Sequence, residues 1–226
     1  MKISEIYMVA LMSCSAHRHR EDAVIREIMR VGLADGYSLE VRRNDASCQA
    51  NVAETFEEYL KRGYRRVLVL ENDVRFLKDA ERALRIIESA PSGCNAVYFD
   101  IFPHWNDAVL SRVKERRAAG VSFMQTIGGT YGASCWLADE IAMRRFVENH
   151  RNNPDQPPDS PIFVIDPALE NCFSLNPPCV QVLYSDANNL RWGDAQHNLY
   201  RRWGVDYSMF NVPDGYKFGD VLEVAQ

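Results

Sequence analysis

No run in this sequence approaches the ~20 apolar residues that a membrane-spanning helix needs. The apolar stretch Ile6–Met12 is short, is preceded by Glu5 and leads to no cleavage-like site, so a first strand of a cytoplasmic protein is expected there, not a signal peptide. The six cysteines (14, 48, 94, 135, 172 and 179) form no Cys-x-x-Cys pair and sit near no histidines at zinc-finger spacing. Several lie in apolar surroundings, as in Cys135-Trp136-Leu137, which reads as small buried hydrophobes in a reducing compartment. There is no Gly-x4-Gly-Lys-Ser/Thr phosphate loop and no dinucleotide fingerprint. Positive charge is not in excess: a net charge of -5 removes the electrostatic basis for tight nonspecific nucleic-acid binding, although it leaves room for a local basic patch. Internal repeats and low-complexity tracts are absent too.

What is present is the material of one large globular domain: 226 residues, 46% hydrophobic and 25% charged, enough to bury a substantial core. Strand-like and helix-like segments alternate, the α/β pattern. Strands are expected at 4–12, 38–42, 66–70 and 95–101. Between them, helices are expected at 19–33 (Val24, Ile25, Ile28, Met29 and Val31 inward), 49–62 (Val52, Phe56, Tyr59 and Leu60 inward) and 78–90. After residue 102 the rhythm changes. The basic stretch 111–119 reads as a mobile loop or short helix. Strands at 121–126 and 130–137 flank Gly128-Gly129, a helix follows at 138–150, and the proline-rich 152–161 is a loop. A last strand at 179–184 precedes an aromatic tail that includes Trp192, Trp203, Tyr207 and Phe210. Stacking on sugars or bases is one use for that tail; covering the sheet is the simpler one.

The chemistry concentrates where Val67-Leu68-Val69-Leu70 runs into Glu71-Asn72-Asp73. In open α/β sheets, ligands bind beyond the carboxyl ends of the strands. Two acids one residue apart at such an end can both approach a hard divalent cation, which takes oxygen ligands and commonly bridges a diphosphate. Alone, the triplet fits equally well a strand that ends in a turn with solvated acids. A haloacid-dehalogenase-type phosphatase would carry Asp-x-Asp near the first strand, whereas this triplet follows the third.

The stretch from Gly63 to Phe76, with Arg66-Val67-Leu68-Val69-Leu70-Glu71-Asn72-Asp73-Val74 at its centre, resembles the acidic segment of glycosyltransferase family twenty-five, the lipopolysaccharide-biosynthesis and collagen galactosyltransferase group. Looser likenesses follow in order: the opening strand with His17-Arg18-His19-Arg20, Ser47-Cys48-Gln49-Ala50-Asn51, Asn95-Ala96-Val97-Tyr98-Phe99, the stretch 129–140, Pro158-Asp159, and 176–186. The resemblance implies a GT-A-like α/β fold with a mixed, mostly parallel sheet flanked by helices. It further implies a nucleoside-diphosphate sugar donor such as a UDP-sugar, a manganese or magnesium ion, and inverting transfer. On this reading 1–226 is a single glycosyltransferase domain: 1–102 is the nucleotide-sugar half, and 103–226 is the acceptor half with the aromatic tail. Three positions depart from the family: its middle Asp is Asn72 here, and its Ser-His pair reads Ala50-Asn51.

The expected metal ligands are Asp73 foremost, then Glu71, with His197 from the C-terminal part. Arg18 and Arg20 suit donor phosphates. Ser13 and Ser15 border the same turn and suit hydrogen bonds to the nucleotide, Asn72 is counted with the donor-binding residues, and Asn44 and Asp45 follow the second strand, where base or ribose would lie. An inverting transferase needs a carboxylate to take the acceptor proton; Asp159 is the first candidate, with Asp139 and Glu140 as second choices that equally read as a helix cap. His104 and Trp105 could stack on a sugar. The acceptor is expected to be a saccharide, a protein or a modified nucleic-acid base. A non-catalytic nucleotide-sugar-binding protein and a metal-dependent hydrolase are the competing readings.

Overall fold

The computed structural model describes residues 7–100, 115–125, 134–154, 171–182 and 207–211. Its first three strands are Tyr7–Ser13 (β1), Ser38–Arg43 (β2) and Arg66–Glu71 (β3). Both β2 and β3 pair with β1 in parallel, with Met12 opposite Glu71 and Ser13 opposite Arg43. The helices are Glu21–Arg30 (α1), Cys48–Lys61 (α2), Ala80–Glu88 (α3) and Glu140–Asn152 (α4).

Strand alternation sorts the core into two layers. Val9 and Leu11 of β1, with Leu68 and Leu70 of β3, face Val24 and Ile28 of α1 and Ala83, Ile86 and Ile87 of α3. Their neighbours Met8, Ala10, Val67 and Val69 face Val52, Phe56 and Tyr59 of α2 and Met143 and Phe146 of α4. Helices on both faces explain why β1 and β3 read as unbroken apolar runs. Full burial of a Val, Leu or Phe side chain contributes roughly 1.5–3 kcal/mol. Val67 to Leu70 are all buried, so the strand that ends in the acidic triplet is among the best anchored in the molecule.

The other strands are Val74–Phe76 (β4), Ala96–Tyr98 (β5), Glu115–Ala118 (β6), Val121–Gln125 (β7), Cys135–Asp139 (β8), Cys172–Asn176 (β9) and Val180–Val182 (β10). Among the described residues, eight strands form one sheet in the order β2-β1-β3-β8-β5-β9-β7-β6, and β4 pairs with β10 in a small antiparallel ribbon. Strands β7 and β8 run against the other six, so the sheet is mixed and mostly of one direction, as expected.

Three local expectations change. The basic stretch expected as loop or helix contains an edge strand, β6, paired with β7 through Ala119-Gly120. Both turn residues have positive φ (51° and 76°), as a tight hairpin of the primed type requires. Its arginines are exposed because β6 is the sheet's last strand, where charge discourages further pairing. Strands β4 and β9 add to the expected set; three residues after an acidic turn and a run after Asn171 carry little periodicity. Finally, Phe210 of the aromatic tail is fully buried and bridges to Leu77, so this residue covers the core.

Candidate functional site

Because β1, β2 and β3 are parallel, their carboxyl ends open on one edge. The chain leaves β1 through a 3-10 turn, Ser15–Arg20, directly into α1, while α2 starts just after β2. Both helix N-termini therefore lie at this edge, where backbone N–H groups favour anions. A crevice of about 420 Å³ lies between these elements, within the ~300–1,000 Å³ typical of small-molecule sites. Seven expected residues line it: Ser13 and Arg20 from the first crossover, Asn44 and Asp45 after β2, and the triplet Glu71, Asn72 and Asp73.

The triplet's members have distinct surroundings. Glu71 is half-buried; its carboxylate accepts from Cys48 Sγ at 3.3 Å, and its N–H donates to the Ser134 carbonyl at 2.8 Å. Asn72 is buried, and its Nδ2 donates to Ser13 Oγ at 3.1 Å and to the His17 carbonyl at 3.3 Å. Asp73 is buried with Oδ2 3.7 Å from Arg20 Nη1, and Oδ1 has no hydrogen-bond partner among the described residues. Burial, then the nearby Glu71 charge, push the Asp73 carboxyl up to about 8, against the pull of Arg20. A carboxylate kept in low dielectric with one bare oxygen and a second acid nearby is stabilised by a cation brought between them.

The donor set fits a hard divalent ion in part. Glu71 and Asp73 offer oxygens, but among the described residues no group of three or more His, Cys, Asp or Glu side chains is placed to hold a metal. Such a site would share its ion with a ligand's phosphates and water, the usual arrangement for magnesium.

The crevice walls are tied by side chains. Asp45 accepts from the Ser15 N–H and hydroxyl, both at 2.6 Å, and these bonds hold its carboxyl below the ordinary aspartate value. Asn44 donates to Glu54 at 2.7 Å and accepts from the Ala46 N–H at 2.8 Å. Ser47 caps α2 by accepting from Ala50 N–H at 3.1 Å. Asn51, in the first turn of α2, donates to the carbonyls of Ser13 (3.2 Å) and Arg42 (3.0 Å), clamping the ends of β1 and β2 together.

Other expected residues lie elsewhere. Arg18 is exposed and does not line the crevice. Asp139 and Glu140 lie away from the crevice: β8 runs antiparallel to β3, which puts Asp139 opposite Arg66, five residues and about 17 Å back along β3 from Glu71. There Asp139 caps α4 through Ala142 N–H (2.8 Å) and accepts from Asn95 (3.0 Å), and Glu140 pairs with Arg144 on the helix surface. Asp159, His197, His104 and Trp105 lie outside the described residues.

Sequence reasoning did not single out Asn51 as a clamp, nor Cys48, His17 and Asp100. Asp100, at the carboxyl end of β5, is fully buried and accepts from Ser134 N–H at 2.8 Å. Burial pushes its carboxyl up to about 7, with Glu71 adding to the rise. Its signal was an acid closing the apolar run Val97-Tyr98-Phe99.

No family model matches the chain, and no curated protein matches it. Solved structures do. A glycosyltransferase involved in the glycosylation of the major capsid of PBCV-1 aligns at 7% identity and TM-score 0.48, over 88% of this chain and 100% of that chain. A197 from STIV aligns at 10% identity and TM-score 0.44, over 77% and 83%. A mannose-1-phosphate geranyltransferase from Thermus thermophilus aligns at 12% identity and TM-score 0.41, over 74% and 72%. At these identities and scores the likeness is of coarse α/β layering, and no residue role is carried across. No helix among the described residues is long and apolar enough to cross a membrane.

Proposed function

We propose that the protein is a GT-A-like glycosyltransferase that takes a nucleoside-diphosphate sugar in the crevice at the ends of β1, β2 and β3, with manganese or magnesium held against Asp73 and Glu71. The observation that carries the reading is Asp73: a buried acid beside a second acid, one oxygen without a hydrogen-bond partner among the described residues, and Arg20 within 3.7 Å. The resemblance of the Gly63–Phe76 segment to the glycosyltransferase motif supports it.

When bound, the cation would neutralise charge that develops on the departing diphosphate. Arg20 would share that task, since a guanidinium matches phosphate oxygens in shape and charge. Asp45 and Asn44, at the rim beyond β2, would meet ribose or base. The acceptor proton would go to Asp159, and the transfer would invert the sugar carbon. The acceptor class is a saccharide, a protein or a modified base.

The test is a panel of nucleotide sugars incubated with and without manganese, followed for hydrolysis and transfer. The expected result is manganese-dependent release of nucleoside diphosphate from at least one donor, lost in Asp73→Ala. Turnover that survives this substitution would sink the assignment. Phosphate release with no sugar product would favour the hydrolase. One observation favours a binding protein without catalysis: two of the three base candidates, Asp139 and Glu140, lie at the far end of the sheet. It predicts donor binding without turnover.

A further inference from the structure

Asn72 stands where the resemblance leads one to expect a third acid, and the direction of its hydrogen bonds gives a reason. The Ser13 hydroxyl can both give and take a hydrogen, so it sets no direction by itself. Asn72 Nδ2 donates to that oxygen and to the His17 carbonyl. A carbonyl accepts only, so the amide's orientation is fixed: turning it over would set oxygen against oxygen.

Position 72 therefore requires a neutral donor. The two groups bonded by Asn72 belong to the end of β1 and to the 3-10 turn Ser15–Arg20. That turn has a kink at His17, where φ and ψ leave helical values. It delivers Arg20 to Asp73 and presents Ser15 to Asp45.

We infer that Asn72 is a positioning residue: its carboxamide latches the Ser15–Arg20 turn to the end of β3 and thereby sets Arg20 beside Asp73, where a nucleoside diphosphate would meet the guanidinium. The last clause rests on the proposed function; the latch does not. An aspartate at position 72 could not replace the amide. It would set a carboxylate oxygen against the His17 carbonyl, acceptor against acceptor, and would release the turn.

The opposite view treats position 72 as a vacated metal-ligand position. The two views differ in sign for Asn72→Asp, measured in three ways: amide hydrogen exchange across Ser15–Arg20 in the metal-free protein, Mn2+ affinity by calorimetry, and UDP affinity in saturating Mn2+. The latch predicts exchange about tenfold faster or more in that turn, Mn2+ binding no tighter than in the unaltered protein, and UDP binding weakened about tenfold. Tighter Mn2+ binding with unchanged exchange would overturn it. Asn72→Ala removes the donor without adding charge, and is the variant to use if Asn72→Asp does not fold. It should also speed exchange in the turn and weaken UDP, and unchanged exchange would again overturn the latch. If the unaltered protein binds neither Mn2+ nor UDP, the proposed function fails, and the exchange comparison alone decides the latch.

Discussion

Asp73 and Asp139 are both acids at the ends of strands in the centre of the sheet, one at each end of the β3–β8 pair, and they differ in hydrogen bonding. Asp139 has its bonds filled: Ala142 N–H and the Asn95 amide approach its two oxygens, and it opens a helix. Asp73 keeps one oxygen unpartnered among the described residues, sits beside Glu71, and is met at longer range by Arg20. Sequence position alone makes the two look alike. The difference teaches that a strand-end acid points to ligand chemistry where the fold leaves its hydrogen-bonding capacity unfilled, and to structure where a helix start fills it.

The largest expected effect breaks this contrast directly. Asp73→Asn should lower affinity for UDP with Mn2+ about 100-fold or more while leaving thermal stability equal or higher, because the amide carries no charge to bury at any pH. Asp139→Ala should do the reverse. Loss of a helix cap costs about 1 kcal/mol, and donor affinity should stay unchanged. Calorimetric titration and thermal melts on both variants would check the pair; equal loss of donor binding in the two would end the comparison.

A second effect is the pH dependence of the Asp73 end. A folded carboxyl pushed up to about 8 against an ordinary value of about 3.9 favours folding in its protonated form. That contribution is fully present below the ordinary value and is lost as pH rises towards about 8. Metal-free protein should therefore lose stability across this window, and Mn2+ affinity should climb across it as the proton leaves. Melts with and without Mn2+ from pH 5 to 8 would show the two curves diverging. Parallel curves would remove Asp73 from the metal site.

The smallest effect concerns the rim. Ser15→Ala removes one of the two bonds that hold Asp45. Donor KM should rise a few-fold with kcat unchanged, since ground-state positioning alone is lost. A drop in kcat of similar size would place Ser15 nearer the reacting atoms.

Much of the fold was legible because its signals are local. Val67-Leu68-Val69-Leu70 is apolar at every position, as a strand covered on both faces must be. Phe56 and Tyr59 fall on one face of α2, and Ser47 and Asp79 are recognisable caps that the structure uses, with Asp79 accepting from Arg82 N–H at 2.9 Å. Charge misled at 115–118, where the exposed arginines belong to an edge strand. The crevice was legible in its inner parts. Ser13, Asn44, Asp45, Glu71, Asn72 and Asp73 all end or directly follow strands, and parallel strands bring such positions together. The clamping role of Asn51 was not legible because its partners are main-chain carbonyls on two different strands, which carry no side-chain signature.

The sequence by itself determined the helices and most of the central strands and that an acidic triplet ends a buried strand, because hydrophobic periodicity and capping act over a few residues. Only the tertiary structure decided which strand ends meet. The antiparallel insertion of β8 carried Asp139 away from Asp73, and the packing of the Ser15–Arg20 turn brought Arg20 to it. Those outcomes depend on strand direction and on hydrogen bonds between residues more than 50 positions apart, such as Asn72 to Ser13 and to His17. No local pattern encodes the distance between them.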